Sequence, residues 1–499
     1  MKNQADSRRD FLKKAGIALG GITILPNHVV SGLGHKAPSD KMNIVGVGIG
    51  GKGHPNLRGM AGENIIGLCD VDWKYADGCF KEFPTAKRYW DWRTLFDELG
   101  KSMDGVMVAT ADHTHAVIAA TAISMGKHVY CQKPLTHSVY ESRLLTKLTE
   151  RYKVATQMGN QGSSGNGVRQ LCEWLWNNEI GEIREVHAWT DRPIWPQGIE
   201  RPANGMPVPK TMNWDLFIGP APMRPYHEIY TPWNWRGWWD FGTGAFGDMA
   251  CHVLDPVYRA LKLGYPDAVR GSSTSINTES APHAETVEFS FSARDNLPKF
   301  SLPPVKVHWY DGGLLPNLTD LLPEGENLMD DGLGGCLFIG SRDSLMCGCG
   351  GYNPRLLSGR IPEVKPYLRR IPGGDVFYAD GPHELDWIRA CKESPESRTE
   401  TSSNFAFSGP FNEMVAMGVL AIRLQGLNKA LKWDGEQMRF TNISESENLK
   451  VLTSDHFKVT DGHPTFDRKY ETFNALQCAN EYIKHTYREG WKLPAMPVL

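Results

Sequence analysis

The sequence lacks a surplus of positive charge: 54 Lys+Arg stand against 57 Asp+Glu in 499 residues, a net charge of −3. Binding to a phosphate backbone draws on a basic excess, so nucleic acid is not an expected partner. Long apolar runs are missing as well. The N-terminal run Ala15–Leu25 falls short of the roughly 20 residues a bilayer-spanning helix needs, and no integral span is expected in the mature chain. The ten cysteines are scattered without paired CxxC spacing, which argues against a zinc ribbon or a dense disulfide framework. For Cys347-Gly-Cys349, two thiols are favoured over a vicinal-type bridge. Internal repeats and low-complexity blocks are also absent. What remains is an ordinary globular composition, 41% hydrophobic and 22% charged, in a chain longer than one core supports. Two domains of roughly 150 to 250 residues follow.

Residues 7–13 read Ser-Arg-Arg-Asp-Phe-Leu-Lys, ahead of that apolar run and a Pro/Ser/Gly/His-rich stretch to about Asp40. This is the form of a twin-arginine export signal. It predicts a signal and linker over 1–40 and a periplasmic or exported protein. The twin-arginine route carries folded proteins, which suits one that acquires a cofactor before export.

Met42–Val47 is a β-rich run feeding a glycine-rich loop. Glycines 46, 48 and 51 fit G-x-G-x-x-G, whose glycines allow a tight turn, close approach to a pyrophosphate and close helix–strand packing. A second strand over Ile65–Asp70 ends in an acid about 20 residues past the loop, where a ribose-binding carboxylate belongs. Asp70 therefore favours NAD over NADP, with Asp72 as the fallback. Strands and helices keep alternating: helix Trp92–Leu99, strand Gly105–Thr110, helix Ala116–Met125, strand Lys127–Cys131. Such alternation predicts a parallel sheet. Its carboxyl-end loops, Thr110–His115 and Gln132-Lys133-Pro134, would then stand beside the cofactor.

Gly46-x-Gly48-x-x-Gly51, Thr110-Ala-Asp-His-Thr-His115 and Cys131-Gln132-Lys133-Pro134 resemble the Gfo/Idh/MocA oxidoreductases, whose patterns there are G-x-G-x-x-G, T-P-x-x-x-H and E-K-P. The resemblance spans most of residues 42–260. Ala111 replaces the usual Pro and Gln132 the usual Glu, while Lys133 and Pro134 are retained. The resemblance implies an N-terminal Rossmann NAD(P)-binding domain over 41–165 and a C-terminal α+β domain with a mostly antiparallel open sheet over 166–430. A C-terminal extension, 431–499, packs on that α/β body. It also implies that Lys133 approaches nicotinamide and substrate hydroxyl, that Thr110, His115 and Gln132 belong to the cofactor side, and that a dimer or tetramer forms.

The stretch from 174 to 239 holds nine of the sixteen Trp. Indoles offer an apolar face and an N–H donor, so Trp195, Trp235 and Trp238, with Trp233 and Trp239, are candidates for stacking on sugar rings. Gly247-Asp248-Met-Ala-Cys-His252 reads as the start of a helix, with Asp248 and His252 on one face at i,i+4. Oxidising a secondary alcohol needs a base for the hydroxyl proton, and a carboxylate-held histidine suits that task. His252 is the expected proton acceptor, Asp248 its orienting group and a substrate contact, and Lys133 the donor to the reacting oxygen. The family carries a D-x-x-x-H pair at this point in the chain. The same spacing could hold a metal with His113, His115 or His187, but no H-E-x-x-H motif supports one and none is expected.

These readings predict an exported NAD-dependent oxidoreductase acting on a sugar or glycoside and oxidising a ring hydroxyl such as that at C3. The alternatives are a redox-neutral NAD-dependent glycosidase and a non-catalytic sugar-binding protein.

Overall fold

The structure, a computed structural model, describes residues 40–295, 302–376 and 380–498. The export signal expected at residues 7–25 lies outside the described residues.

The first sheet has six strands: β1 (Asn43–Val47), β2 (Asn64–Cys69), β3 (Lys87–Tyr89), β4 (Gly105–Val108), β5 (His128–Cys131) and β6 (Thr156–Met158). All pair in parallel in the order β3-β2-β1-β4-β5-β6. Helices α1 (Gly53–Gly59), α2 (Asp77–Glu82), α3 (Trp92–Leu99), α4 (Asp112–Ser124) and α5 (Val139–Tyr152) make the connections. Parallel strands covered on both faces read as apolar runs. Accordingly, Val45, Val47, Val106 and Val108 enter one core and Ile44, Leu68 and Met107 the other. Strand order reverses between β1 and β4, which opens a crevice at their carboxyl ends.

After α6 (Asn166–Trp176) the chain builds a second sheet from β7 (Ile183–Thr190), β8 (Ala268–Ser273), β9 (Glu285–Phe291), β10 (Val305–Tyr310), β11 (Gly334–Gly340), β12 (Ser344–Gly348), β13 (Tyr352–Leu356), β14 (Leu431–Asp434) and β15 (Arg439–Phe440). The order is β13-β12-β11-β7-β10-β9-β8-β14-β15, antiparallel except for the β7/β10 pair. Between β7 and β8 lie α7 (Trp214–Ile218), α8 (Gly244–Val253) and α9 (Asp255–Ala260). Later come α10 (Pro382–Cys391) and α11 (Phe405–Arg423). α11 is long and apolar enough to cross a membrane, but 83% of its most apolar window is buried inside the protein. It is the core helix of this domain, begun by the Asn404 side chain accepting from Phe407 N.

Two segments cross domain lines. α10 returns to the first sheet, where Trp387 and Ile388 pack with Ile44, Leu57 and Tyr130. In the extension, α12 (Ala475–Ile483) packs on α11, whereas the hairpin β16 (Asn448–Thr460)–β17 (His463–Asn474) leaves Phe457 and Phe466 exposed. The final segment then runs back over the first domain. Tyr487 donates to Glu141 Oε1 at 2.7 Å, and Arg488 to Asp215 Oδ1 at 2.6 Å.

Candidate active site

A cleft of about 800 Å³ runs along the carboxyl ends of β1, β2, β4 and β5, walled on the other side by the β7–β8 excursion. Its lining includes Gly48, Gly50, Gly51, Asp70, Thr110, Gln132, Lys133, Trp195, Trp235, Asp248 and His252. Residues far apart in sequence thus meet in one space.

The glycine motif sits two residues later than its sequence pattern suggested. Gly46 belongs to β1 and does not line the cleft. Gly48 ends the strand with φ +77°, and a Cβ there would stand 2.6 Å from Ala109 C and Thr110 N. Gly53 opens α1, where a Cβ would stand 2.0 Å from Gly48 O. Gly48, Gly50 and Gly53 therefore carry the turn, the close approach and the helix packing. Gly51 lines the cleft without closing the motif.

Asp70 reaches the cleft, but its carboxylate clamps that loop. Oδ2 accepts from Ile49 N at 2.8 Å and Gly50 N at 2.9 Å, and Oδ1 from Asp72 N at 2.9 Å. Burial nevertheless pushes the carboxyl up to about 6, against the pull of these amides. Asp72 lines the same end of the cleft.

α8 begins at Gly244, a full turn before Asp248, so Asp248 is an interior helix residue and no cap. Its Oδ1 accepts from Lys133 Nζ at 2.7 Å and from Arg236 Nε at 3.0 Å, and its main-chain carbonyl accepts from Lys133 Nζ at 3.1 Å. Burial alone would raise this carboxyl; Lys133 and Arg236 outweigh it and hold it at about 2. One turn on, His252 also lines the cleft. Burial, followed by the Lys133 cation, pushes its imidazole down to about 3, so it is neutral at rest. Asp248 thus acts first on two cations, an arrangement the i,i+4 spacing did not reveal.

Gln132 and His115 stand behind Lys133. Gln132 Nε2 donates to Asn56 Oδ1 at 2.8 Å, and Asn56 Nδ2 donates to Glu384 Oε1 at 2.6 Å. A carboxylate from α10 thereby closes the network in which the family's Glu is missing. His115 does not line the cleft. Its ring nitrogens face Pro134 O at 2.8 Å and Thr110 O at 3.0 Å, tying the two turns together. Burial pushes this imidazole down to about 4. His113 is held similarly by the carbonyls of Phe217, Ile218 and Phe241.

Among the indoles, Trp195, Trp233 and Trp235 line the cleft. Trp238 does not: it is fully buried against Tyr230, with its N–H on Ile229 O. Trp239 is likewise buried, on Asn277 O. Packing takes these two: Trp238 enters the Trp214–Phe241 cluster, which Trp235 joins as well, and Trp239 enters the main core.

Three further residues at or beside the cleft escaped the sequence reading. Arg236 lies 3.9 Å from the Trp233 ring centroid and 4.3 Å from that of Trp235; a cation inside an aromatic run is the signal that marks it. Asp112 opens α4, accepts from Thr243 Oγ1 at 2.9 Å, and is pushed up to about 7 by burial and by Asp248. Trp491 arrives from the C-terminal segment, beneath the Arg93 guanidinium at 4.7 Å. Nothing in the local sequence marks it.

Residues 41–160 match a family model described as the NAD-binding Rossmann fold of an oxidoreductase family, and residues 183–285 match the C-terminal alpha/beta domain of that family. The chain is 28% identical over 153 residues to inositol 2-dehydrogenase of Salmonella typhimurium, covering 30% of this chain and 44% of that enzyme. It is 40% identical over 166 residues to levoglucosan dehydrogenase of Pseudarthrobacter phenanthrenivorans, covering 33% of this chain and 34% of that one. The matches thus span less than half of these curated relatives. Among solved structures, an inositol dehydrogenase homolog from Azotobacter vinelandii complexed with NADH and myo-inositol shares the fold, with a TM-score of 0.51 at 15% identity. That superposition covers 79% of this chain and 98% of that one.

Proposed function

We propose that this chain, whose residues 41–160 and 183–285 match the two domain models of the Gfo/Idh/MocA oxidoreductase family, is an NAD-dependent dehydrogenase that oxidises a ring hydroxyl of a sugar or glycoside, such as that at C3. The observation that carries this reading is the convergence of Lys133, Asp248 and His252 on the cleft that the glycine loop opens into, opposite Trp195, Trp233 and Trp235. The named relatives are dehydrogenases of inositol and levoglucosan.

The cradle fits a dinucleotide. Gly48, Gly50 and Gly51 line it without side chains, and Asp70 holds the loop amides of Ile49 and Gly50 in place. Two acids, Asp70 and Asp72, border that end of the cleft and would repel a 2′-phosphate, which supports NAD over NADP. When bound, NAD supplies the hydride acceptor. Lys133 has three N–H donors, of which two contacts go to Asp248, leaving a donor for the substrate oxygen. Asp248 aims that ammonium, and Arg236 fixes Asp248 in turn. His252 is neutral and able to accept the hydroxyl proton. Burial first and the Lys133 cation second depress its basicity; negative charge on the substrate oxygen would offset the Lys133 part. Trp233, the exposed one of the three cleft indoles, would give ring C–H bonds an apolar surface.

Export through the twin-arginine route belongs to the same proposal, supported by Arg8-Arg9 and the apolar run after them. So does assembly as a dimer or tetramer. Outside the cytoplasm no soluble NAD pool is at hand, so the cofactor would stay bound between turnovers. The test is to denature the purified protein, identify the released nicotinamide, and treat native protein with a panel of glycosides. Retained NAD and a product two mass units lighter support the reading. Free sugar released without net oxidation replaces it with the redox-neutral glycosidase.

A further inference from the structure

The second sheet carries a separate constellation on its outer face. Along β7, β9 and β10, Val186, Ala188, Val287, Phe289, Val307 and Trp309 point into the core. Period-two alternation sends their neighbours Glu185, His187, Glu288, His308 and Tyr310 to the opposite face. His187 and His308 are direct cross-strand partners, and Glu185 shares their face two residues before His187. None of these three lines the catalytic cleft.

Their donor atoms converge. Glu185 Oε1 stands 3.0 Å from His187 Nε2 and 3.3 Å from His308 Nε2, and all three atoms lie within 4.8 Å of one another. Ligands at usual Zn–N and Zn–O lengths around a tetrahedral ion stand about 3.3 Å apart, so the carboxylate oxygen already keeps that spacing from both nitrogens. The two imidazoles are stacked, with centroids 4.8 Å apart and planes at 14°; closing on an ion turns them toward each other about χ2.

The outer nitrogens are supported as metal-binding histidines usually are. His187 Nδ1 meets Tyr310 Oη at 3.1 Å, and His308 Nδ1 faces Glu288 Oε2 at 3.6 Å. Glu185 is half exposed, so an ion has a path in and a water can complete the shell.

We propose that Glu185, His187 and His308 form a binding site for Zn²⁺ on the outer face of the second sheet, with a fourth position open to solvent. Two imidazoles and one carboxylate suit zinc and disfavour the hard cations Mg²⁺ and Ca²⁺, which prefer all-oxygen shells. The site is independent of the proposed dehydrogenase chemistry.

The experiment uses untagged full-length protein stripped with a chelator, titrated with ZnCl₂ by calorimetry and with Co²⁺ by visible absorption. The expected result is one Zn²⁺ per chain and a tetrahedral Co²⁺ spectrum. His308→Ala and Glu185→Gln should each weaken Zn²⁺ binding by on the order of a hundredfold or more, since losing even a supporting residue costs 10–100-fold. His252→Ala should leave the stoichiometry and affinity unchanged. Metal-free melting curves of both outer-face variants should match that of the metal-free parent, and Glu185→Gln carries the test if His308→Ala folds poorly. The proposal is overturned if no Zn²⁺ binds, if binding survives both outer-face substitutions, or if it disappears with His252→Ala alone.

Discussion

Lys133 Nζ and Arg236 Nε share one oxygen of Asp248, at 2.7 and 3.0 Å. A single buried carboxylate therefore pairs with two cations that come from different domains, and the side chains of all three are less than 15% exposed.

Asp248→Asn removes that charge and leaves two buried cations facing each other. Removing one partner of a buried pair costs about 3–5 kcal/mol, so a clear drop in denaturation midpoint is expected. Turnover should fall with kcat rather than KM, because Lys133 loses its aim. Calorimetry and steady-state kinetics check this; a variant as stable and as active as the parent contradicts it.

Arg236→Ala should act mainly on binding. The guanidinium props Asp248 and sits against the Trp233 and Trp235 rings; without it the two indoles lose their place in the cleft, and KM for the glycoside should rise by about 5- to 30-fold, the equivalent of about 1–2 kcal/mol. Cofactor retained on purification should not change. Loss of NAD with an unchanged KM would place Arg236 on the cofactor instead.

The register of the glycine motif can be tested by two alanines. At Gly48 a Cβ meets main chain at 2.6 Å with φ at +77°, so Gly48→Ala should abolish NAD retention or folding. At Gly46 the nearest atom is the flexible Leu57 Cδ1 at 2.8 Å, and Gly46→Ala should cost less and keep NAD. Equal damage at both positions would contradict the shifted register.

Asp112 supplies the pH dependence. Its carboxyl stands at about 7 in the folded protein against 3.8 ordinarily, so the folded state binds the extra proton between these values. Stability from this group is complete below its ordinary value and is lost as pH rises through about 7. Asp112→Asn keeps a neutral partner for Thr243. Its melting temperature should match the parent's only below the ordinary value of 3.8, and the margin by which it exceeds the parent's should widen from pH 5 to pH 8.5. A pH-independent difference would contradict the shift.

Much of this fold was legible because its strands are buried on both faces: the apolar runs at 44–47 and 105–108 could be little else. The antiparallel second sheet came from the family resemblance, and the alternating burial of Glu285–Phe291 and Val305–Tyr310 agrees with it. Lys133, Asp248 and His252 were placed by motif and spacing, and the cleft brings them together. The glycine register was not legible, because a run of closely spaced glycines fits the pattern twice, and the two separate only through φ at Gly48, the close packing at Gly53 and the place of Gly46 inside the strand. Nor were Trp491 and Glu384, which reach their places through contacts hundreds of residues away. Trp238 misled because aromatic density does not say which ring faces inward. The His187–His308 pair was invisible for a related reason: strand register, not sequence proximity, joins them.

The central claim is that this cleft takes a hydride from a sugar ring carbon. The most direct measurement is to mix the NAD-loaded protein with glycosides deuterated at one ring carbon at a time, denature it, and weigh the released cofactor. The account expects deuterium on the nicotinamide for one ring position, C3 foremost, and none when His252 or Lys133 is replaced. Unlabelled cofactor at every position, with the wild-type protein folded and loaded, would contradict it.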